Sequence, residues 1–220
     1  MNDFKLYFIL FIIYSFLGWI IETIICSITK GEPVSRGFLI GPICTIYGCS
    51  AILMIIFLSK YIESPMILFV MGVFICSTLE YLTSVIMEKL FNTRWWDYSH
   101  KKFNINGRIC LRNSFFFGVL GLALLYGINP FLLNLLSMIP STVLNISFYV
   151  LFILLIIDFV ISFITIYRFT KTAKLVKKDS CDKINKKVKE EIEKGKDILK
   201  KRLIHAFPNF NIIFKNKKQY

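Results

Sequence analysis

Five long apolar stretches restrict the fold of this 220-residue chain more than any other feature. A helix rises about 1.5 Å per residue, so roughly 20 apolar residues cross the hydrocarbon core of a bilayer, which is about 30 Å thick. Each stretch reaches that length, and they are residues 4–26, 37–58, 65–87, 113–139 and 141–167. The sequence therefore predicts an all-α fold, a polytopic transmembrane helical bundle of about five spans within residues 1–167.

The composition excludes several other classes of protein. The chain is 55% hydrophobic and only 19% charged, with a mean hydropathy of +0.61. Soluble domains carry about 25% charged residues, so a soluble fold is excluded. The six cysteines form no C-x-x-C pair and are interpreted as free thiols. With two histidines and neither a zinc motif nor a phosphate loop, the sequence predicts no metal and no cofactor, and the chain is not itself an ATPase.

The basic residues predict how the chain is oriented in the membrane. Residues 168–220 hold 17 of the 27 Lys and Arg, a concentration typical of the cytoplasmic side. With five spans and this end inside, the N-terminus lies outside. Eight further basic residues then fall in inside loops, and only Lys5 and Lys60 fall outside. The composition, rich in Ile, Lys, Phe and Asn, indicates a bacterial plasma membrane. We therefore expect a multi-pass protein of that membrane, with its C-terminus cytoplasmic.

Residues 168–220, the basic tail, have the pattern of a cytoplasmic helix. Their apolar residues share one helical stripe, formed by Ile184, Val188, Ile192 and Leu199. Such a helix is either solvated all round or lies on anionic lipid, where each surface Lys contributes about 1 kcal/mol. We favour anionic lipid as the partner of the tail. The net charge of +13 does not indicate nucleic acid, because most of it is concentrated beside the membrane.

Acidic residues inside the apolar stretches are the chemically informative feature. They are Glu22, Glu80 and Asp158. An ionised carboxylate at a helix centre costs about 2.5–3.5 kcal/mol on insertion scales unless it is paired, protonated or hydrated. The predicted topology puts all three toward the cytoplasmic half, although Asp158 near a helix end can simply reach the lipid headgroups. The alternatives are a functional polar cluster and a structural network of salt bridges.

The basic and aromatic residues bordering that half complete the predicted cluster. We expect Glu22, Glu80 and Asp97 to meet Arg36, Arg94 and Arg108 at the cytoplasmic face, around a concave pocket. Tyr47, Trp95 and Trp96 are the predicted walls of this pocket. An aromatic belt with positive-inside charges explains most of the loop around Trp95, but it explains Asp97 less well.

Gly41 and Pro42 interrupt the second apolar stretch near its start. Proline removes a backbone donor and disfavours helical conformation in the residue before it. The interruption is either a tolerated kink or an unwound segment that lines a cavity, as in transporters.

Five sequence motifs together resemble a known family. They are Ser15-Phe16-Leu17-Gly18-Trp19-Ile20-Ile21-Glu22, Arg36-Gly37-Phe38 through Gly48, Leu79-Glu80-Tyr81, Arg94-Trp95-Trp96-Asp97-Tyr98 and Asn106-Gly107-Arg108-Ile109-Cys110-Leu111. The combination is similar to the bacterial integral-membrane family labelled putative ABC-transporter permease, type IV, over roughly residues 4–167. The resemblance implies a membrane location and a transport role, and it names no substrate.

Two functions from different classes follow from these observations. In the first, the chain is a permease or transport component that needs a separate ATPase subunit as partner. In the second, it is a membrane-embedded enzyme for a lipid-phosphate substrate, with Glu22 and Glu80 as acid–base groups and Arg94 and Arg108 binding phosphate oxygens. We favour transport, and an enzymatic role remains the alternative.

Overall fold

Helices dominate the fold because, in hydrocarbon, every backbone N–H and C=O must be bonded within its own segment. The computed structural model describes residues 3–31, 37–91, 93–176 and 211–212. Within these residues the helices are α1 (Asp3–Lys30), α2 (Thr45–Leu58), α3 (Pro65–Phe91), α4 (Leu111–Ala123), α5 (Asn129–Ser137) and α6 (Ser141–Val176). The predicted all-α bundle of apolar helices is confirmed.

Four helical segments of the described chain are long and apolar enough to cross a membrane. They are Asp3–Thr29, Pro65–Phe91, Leu111–Ser137 and Ser141–Tyr167. The second predicted span, 37–58, differs from expectation because its helix begins only at Thr45. Residues 37–44 are not helical, so the Gly41-Pro42 interruption is an unwound segment rather than a kink. With the 3₁₀ turn Ser59–Tyr61, α2 is about 25 Å long at the standard helical rise.

A π-helical turn, Leu124–Ile128, joins α4 to α5 and keeps the fourth span continuous. Pro130 has no N–H to donate, and its ring would clash with the carbonyl of Tyr126 in a regular α-helix. The wider turn immediately before Asn129 and Pro130 accommodates both effects.

Glycines set the close approach of the helices. A Cβ on Gly48 of α2 would collide with Ser15 and Phe11 of α1, and a Cβ on Gly118 of α4 would lie 2.5 Å from the Phe69 ring of α3. The contacts α1–α2 and α3–α4 are accordingly the most extensive in the fold.

Most buried apolar side chains form one core among α1 to α6, and a smaller group around Phe91, Trp95 and Ile166 lies at one end of the bundle. The main core contains a polar pair. The Tyr14 hydroxyl of α1 donates a 2.9 Å hydrogen bond to Asn129 Oδ1 of α5, and both side chains are buried.

The loop between α3 and α4 folds as a small hairpin. Strands β2 (Asn104–Ile105) and β3 (Ile109–Cys110) pair antiparallel, and Asn106 and Gly107 between them have φ of 52° and 65°. Positive φ at both positions is the signature of the tight Asn-Gly hairpin turn. Strand β1 (Thr93–Arg94) pairs with β4 (Asn211–Ile212).

The last long helix, α6, is the least buried of the four spanning segments. Its Phe148 stacks edge-on against Phe8 of α1, and Asn145 accepts a 2.9 Å hydrogen bond from Lys5. The start of the basic tail continues α6 to Val176, and the predicted tail helix around Ile184 lies outside the described residues.

Candidate functional site

The unwound segment, residues 37–44, is held by the carboxylate of Asp158, which lies more than 100 residues later in the sequence. The backbone N–H groups of Ile40 and Gly41 donate to the two oxygens of Asp158 on α6, each at 2.9 Å. Ser162 supports this arrangement, because its hydroxyl donates to Asp158 at 3.1 Å and accepts from Ile40 N–H at 3.0 Å. The carboxylate therefore replaces helical carbonyls as the acceptor for unwound backbone, as an apolar environment requires.

A glycine is needed where this contact is made. A Cβ on Gly41 would lie 2.8 Å from Asp158 Oδ2. Gly41 and Pro42, the two residues predicted to interrupt the helix, thus have different surroundings. Gly41 approaches the Asp158 carboxylate, whereas Pro42 is exposed. Sequence reasoning did not include Asp158 in the site. Two features of the sequence could have indicated this contact. Asp158 is an acid within one apolar stretch, and Gly41-Pro42 interrupts another, where backbone N–H groups need an acceptor.

Glu22 and Tyr47 meet where α1 and α2 pack together. The Tyr47 hydroxyl donates a 2.9 Å hydrogen bond to Glu22 Oε1. The approach depends on Gly18 of α1, because any Cβ there would overlap the Tyr47 ring. Tyr47, predicted as a pocket wall, is thus a direct partner of the carboxylate.

Glu80 on α3 lies close to this pair. The residue is 7% exposed, and its carboxylate accepts a 3.3 Å hydrogen bond from the Tyr98 hydroxyl. Its second oxygen is buried and has no hydrogen-bond donor among the residues that the structure describes. Glu22 and Glu80 are near enough to repel each other electrostatically. We call Glu22, Tyr47, Glu80 and Tyr98 the carboxylate–tyrosine cluster. Two neighbouring carboxyl groups in an apolar region are costly as a pair of charges unless a proton or a positively charged group is bound.

The predicted arginines are paired with Glu88, the residue that directly follows the apolar stretch 65–87. Arg108 Nη2 lies 2.7 Å from Glu88 Oε2, and Arg94 Nε lies 3.5 Å from the same oxygen. Arg108 also donates to the Ser84 hydroxyl at 2.9 Å. Arg36 lies outside the described residues. The structure thus brings Glu22 and Glu80 together, and it brings Arg94 and Arg108 together around a different glutamate.

Asp97 lies at the edge of the arginine group. Its carboxylate is 3.7 Å from Arg94 Nη1 and accepts a 2.9 Å hydrogen bond from the Ser99 backbone N–H. The Ser99 hydrogen bond lowers the pKa of the Asp97 carboxyl, and the positive charge of Arg94 adds to the effect. Gly107 is close by, since a Cβ on it would lie 2.6 Å from Asp97 Oδ1.

The two tryptophans pack the loop against the bundle. Trp95 is 4% exposed and lies among Phe38, Phe91 and Ile166, so it connects the unwound segment to α3 and α6. Trp96 donates from its indole Nε1 to the Arg108 carbonyl at 3.0 Å. Both residues position the hairpin on which Tyr98 and Arg108 are carried.

One face of α3 connects these groups. Glu80, Ser84 and Glu88 are spaced four residues apart and therefore line up along the helix over about 12 Å. Each has a polar partner on the loop that follows, Tyr98 for Glu80 and Arg108 for Ser84 and Glu88. Cys76, one turn further into the membrane, interacts with the Ser50 hydroxyl of α2. We call Cys76, Glu80, Ser84 and Glu88 the polar stripe.

Comparison with known proteins identifies the family of this chain. No curated protein and no solved structure shows significant similarity to this chain. A family model with the description "Putative ABC-transporter type IV" matches residues 9–163, which include the carboxylate–tyrosine cluster, the unwound segment and Asp158. The chain is therefore a member of the putative ABC-transporter type IV family.

Proposed function

We propose that this protein is the permease-type subunit of a transporter, in which the polar stripe lines part of the substrate path. The polar stripe is the observation that carries the proposal. It runs from the membrane interior to one end of α3, and all four of its residues face partners on other elements. Carboxylates within apolar helices are costly, and in membrane proteins they mark substrate and ion pathways.

The unwound segment supports the same function. Non-helical backbone at membrane depth occurs in proteins where it is buried or lines a cavity, and interrupted helices are a recurring feature of transporter binding sites. Here the segment is tied to α6 through Asp158, close to the end of the bundle that carries the hairpin. A small rearrangement of α6 would therefore act directly on this backbone.

The energy source in this proposal is a separate ATPase subunit. Membership of the putative ABC-transporter type IV family supports such a partner, and the sequence itself contains no phosphate loop. The hairpin between α3 and α4 is the candidate contact surface. We place it on the cytoplasmic side of a bacterial plasma membrane, with the N-terminus outside, because basic residues are concentrated at that end.

The geometry favours transport over the alternative of an enzyme for lipid phosphates. Such an enzyme would need Arg94 and Arg108 to bind phosphate oxygens. Both guanidinium groups are already paired with Glu88, and Arg94 also faces Asp97. The permease hypothesis needs no arginine to be released.

Thiol accessibility tests whether the polar stripe lines a path. Ser84→Cys places a thiol on the stripe, and Leu82→Cys places a matched thiol on the exposed, lipid-facing side of the same helix. In a cysteine-free variant in native membrane vesicles, a charged, membrane-impermeant reagent should label position 84 at least tenfold faster than position 82. Equal or absent labelling at 84 contradicts the proposed path.

Co-purification tests the partner. The tagged chain, extracted from its native membrane in mild detergent, should retain an ATPase subunit in near-stoichiometric amount. ATP hydrolysis in that complex should depend on Glu80, so Glu80→Gln should change the rate while Glu63→Gln, an exposed acid outside the site, should not. Recovery of the chain without any ATPase would count against a permease role.

A further inference from the structure

A groove of about 540 Å³ lies where the end of the hairpin loop meets the first turns of α4, and no side chain of the carboxylate–tyrosine cluster lines it. Three basic residues contribute to its lining, Lys101, Lys102 and Arg112. The rest of the lining is apolar and consists of Phe103, Leu111, Phe115 and Phe116. The groove therefore combines a positively charged edge with an apolar wall and contains no acidic residue.

The backbone fixes the two sides of this groove relative to each other. The Leu111 N–H, at the start of α4, donates to the Phe103 carbonyl at 3.1 Å. Strand β2 pairs with β3 immediately after Phe103, which has a φ of 52°. A bulky residue is rarely found in this left-handed region. These constraints bring Lys101 and Lys102 beside Arg112, although they lie eleven and ten positions before it in the chain.

The three cations have no carboxylate partner among the residues that the structure describes. Within the described part of the chain, Lys101, Lys102 and Arg112 form no ion pair, whereas Arg94 and Arg108 on the same loop are both paired with Glu88. Arg112 lies over the Phe116 ring at 6.0 Å, so its guanidinium is held at the boundary between the charged and the apolar parts. The positive charge of the groove is thus available to an external anion.

The apolar wall is strongly exposed. Phe103 is 79% exposed, and Leu111, Phe115 and Phe116 are between 51% and 60% exposed. On α4 the wall continues along the same helical face to Val119 and Leu120, which are also exposed. An apolar strip in this position faces lipid acyl chains, with the cations at its end where headgroups lie.

We propose that this groove is a binding site for one anionic phospholipid. The phosphate group lies against Lys101, Lys102 and Arg112, and an acyl chain runs along Phe115, Phe116 and the exposed face of α4. Basic sites at the ends of membrane helices bind anionic lipid headgroups by this chemistry. The lining residues of the groove do not belong to the basic tail, and the proposal does not depend on the proposed transport function.

Native mass spectrometry of the full-length protein in detergent tests the site. The probes are phosphatidylglycerol, which is anionic, and phosphatidylcholine, which is zwitterionic, with inorganic phosphate as competitor. The test variant is Lys101→Gln/Lys102→Gln/Arg112→Gln. Its control, Lys5→Gln/Lys60→Gln, removes basic residues from the opposite end of the helices. Each basic side chain near a headgroup contributes about a fivefold factor in affinity, so the triple variant should lose roughly a hundredfold.

We expect the wild type and the control to retain one phosphatidylglycerol with much higher affinity than phosphatidylcholine, and phosphate not to displace it. The single change Arg112→Gln should weaken binding about fivefold, which keeps the test valid if the triple variant does not fold. Unchanged phosphatidylglycerol affinity in these variants, equal affinity for phosphatidylcholine, or displacement by equimolar phosphate would each overturn the proposal.

Discussion

The contact between Asp158 and the unwound segment makes a quantitative prediction about stability. Asp158→Ala removes the acceptor of two backbone N–H groups. Ile40 N–H keeps the Ser162 hydroxyl as an acceptor at 3.0 Å, so Gly41 N–H alone loses its partner. A buried N–H without an acceptor costs about 1–3 kcal/mol. The substitution also removes the free-energy cost of burying the Asp158 carboxylate, and this gain offsets the loss of the hydrogen bonds that the carboxylate accepts. We therefore expect a destabilisation of about 2 kcal/mol.

Thermal unfolding of the purified protein in detergent measures this effect. For a chain of this size, 1 kcal/mol corresponds to about 2–4 °C, so Asp158→Ala should lower Tm by about 4–8 °C. Gly41→Ala should also lower Tm, because its Cβ would lie 2.8 Å from Asp158 Oδ2 and overpacking of this kind costs about 1–3 kcal/mol. Gly127→Ala is the matched control, since a Cβ at that position meets nothing within 4 Å.

The double variant Gly41→Ala/Asp158→Ala separates a direct contact from two independent defects. Once Asp158 is an alanine, the atom that collides with the new Cβ is absent, so the two losses should be less than additive by about 1 kcal/mol or more. Fully additive losses would refute the reasoning, as would a Gly41→Ala variant that is as stable as Gly127→Ala.

Three further predictions concern the loop and the topology. Glu88→Gln removes the shared partner of two arginines and should lower Tm in detergent, whereas Glu63→Gln, an exposed acid elsewhere, should leave it unchanged. The lowered pKa of Asp97 stabilises the fold above its unfolded-state pKa of about 3.8, and this contribution is lost as the pH falls through the lower folded-state value. The Tm difference between wild type and Asp97→Asn should therefore be present at pH 6, shrink once the pH falls below about 3.8 and vanish below the folded-state pKa. A difference that grew on acidification would contradict this assignment. Reporter fusions after Lys60 and Lys187 should report outside and cytoplasmic positions, and the reverse result would reject the proposed orientation.

The helices were predictable because membrane spans leave a local signal. An apolar stretch of 20 or more residues specifies a helix without reference to the rest of the fold, and four of the five predicted stretches coincide closely with helical segments. The second stretch, 37–58, is equally apolar but becomes helical only at Thr45. Hydropathy does not detect that Pro42 lacks the backbone N–H that a helix requires. Gly41-Pro42 indicated an interruption, but the acceptor for the unwound backbone at Gly41 is Asp158, 117 positions away.

The site was predictable only in part. Glu22 and Glu80 were identified as unusual because each is an acid among apolar residues, and the structure places them together. Their expected pairing with Arg94 and Arg108 assumed that the buried carboxylates attract the nearest cations. Glu88 has these arginines instead, because it lies two turns nearer the helix end than Glu80 and pairing there demands less desolvation of the guanidinium groups. The hydroxyls of Tyr47 and Tyr98 serve the deeper carboxylates.

The buried hydrogen bond between Tyr14 and Asn129 determines which parts of the bundle can move separately. If α1 slid by one turn against α5, both polar groups would be left in hydrocarbon without a partner, so the bond fixes the axial register of these helices. We therefore expect the first helix and the span Leu111–Ser137 to move as one rigid unit. The lightly packed α6 is attached by polar contacts at two levels, Lys5–Asn145 and Asp158 with the unwound backbone. Rocking of α6 about the rigid unit is the motion that this distribution of polar contacts permits.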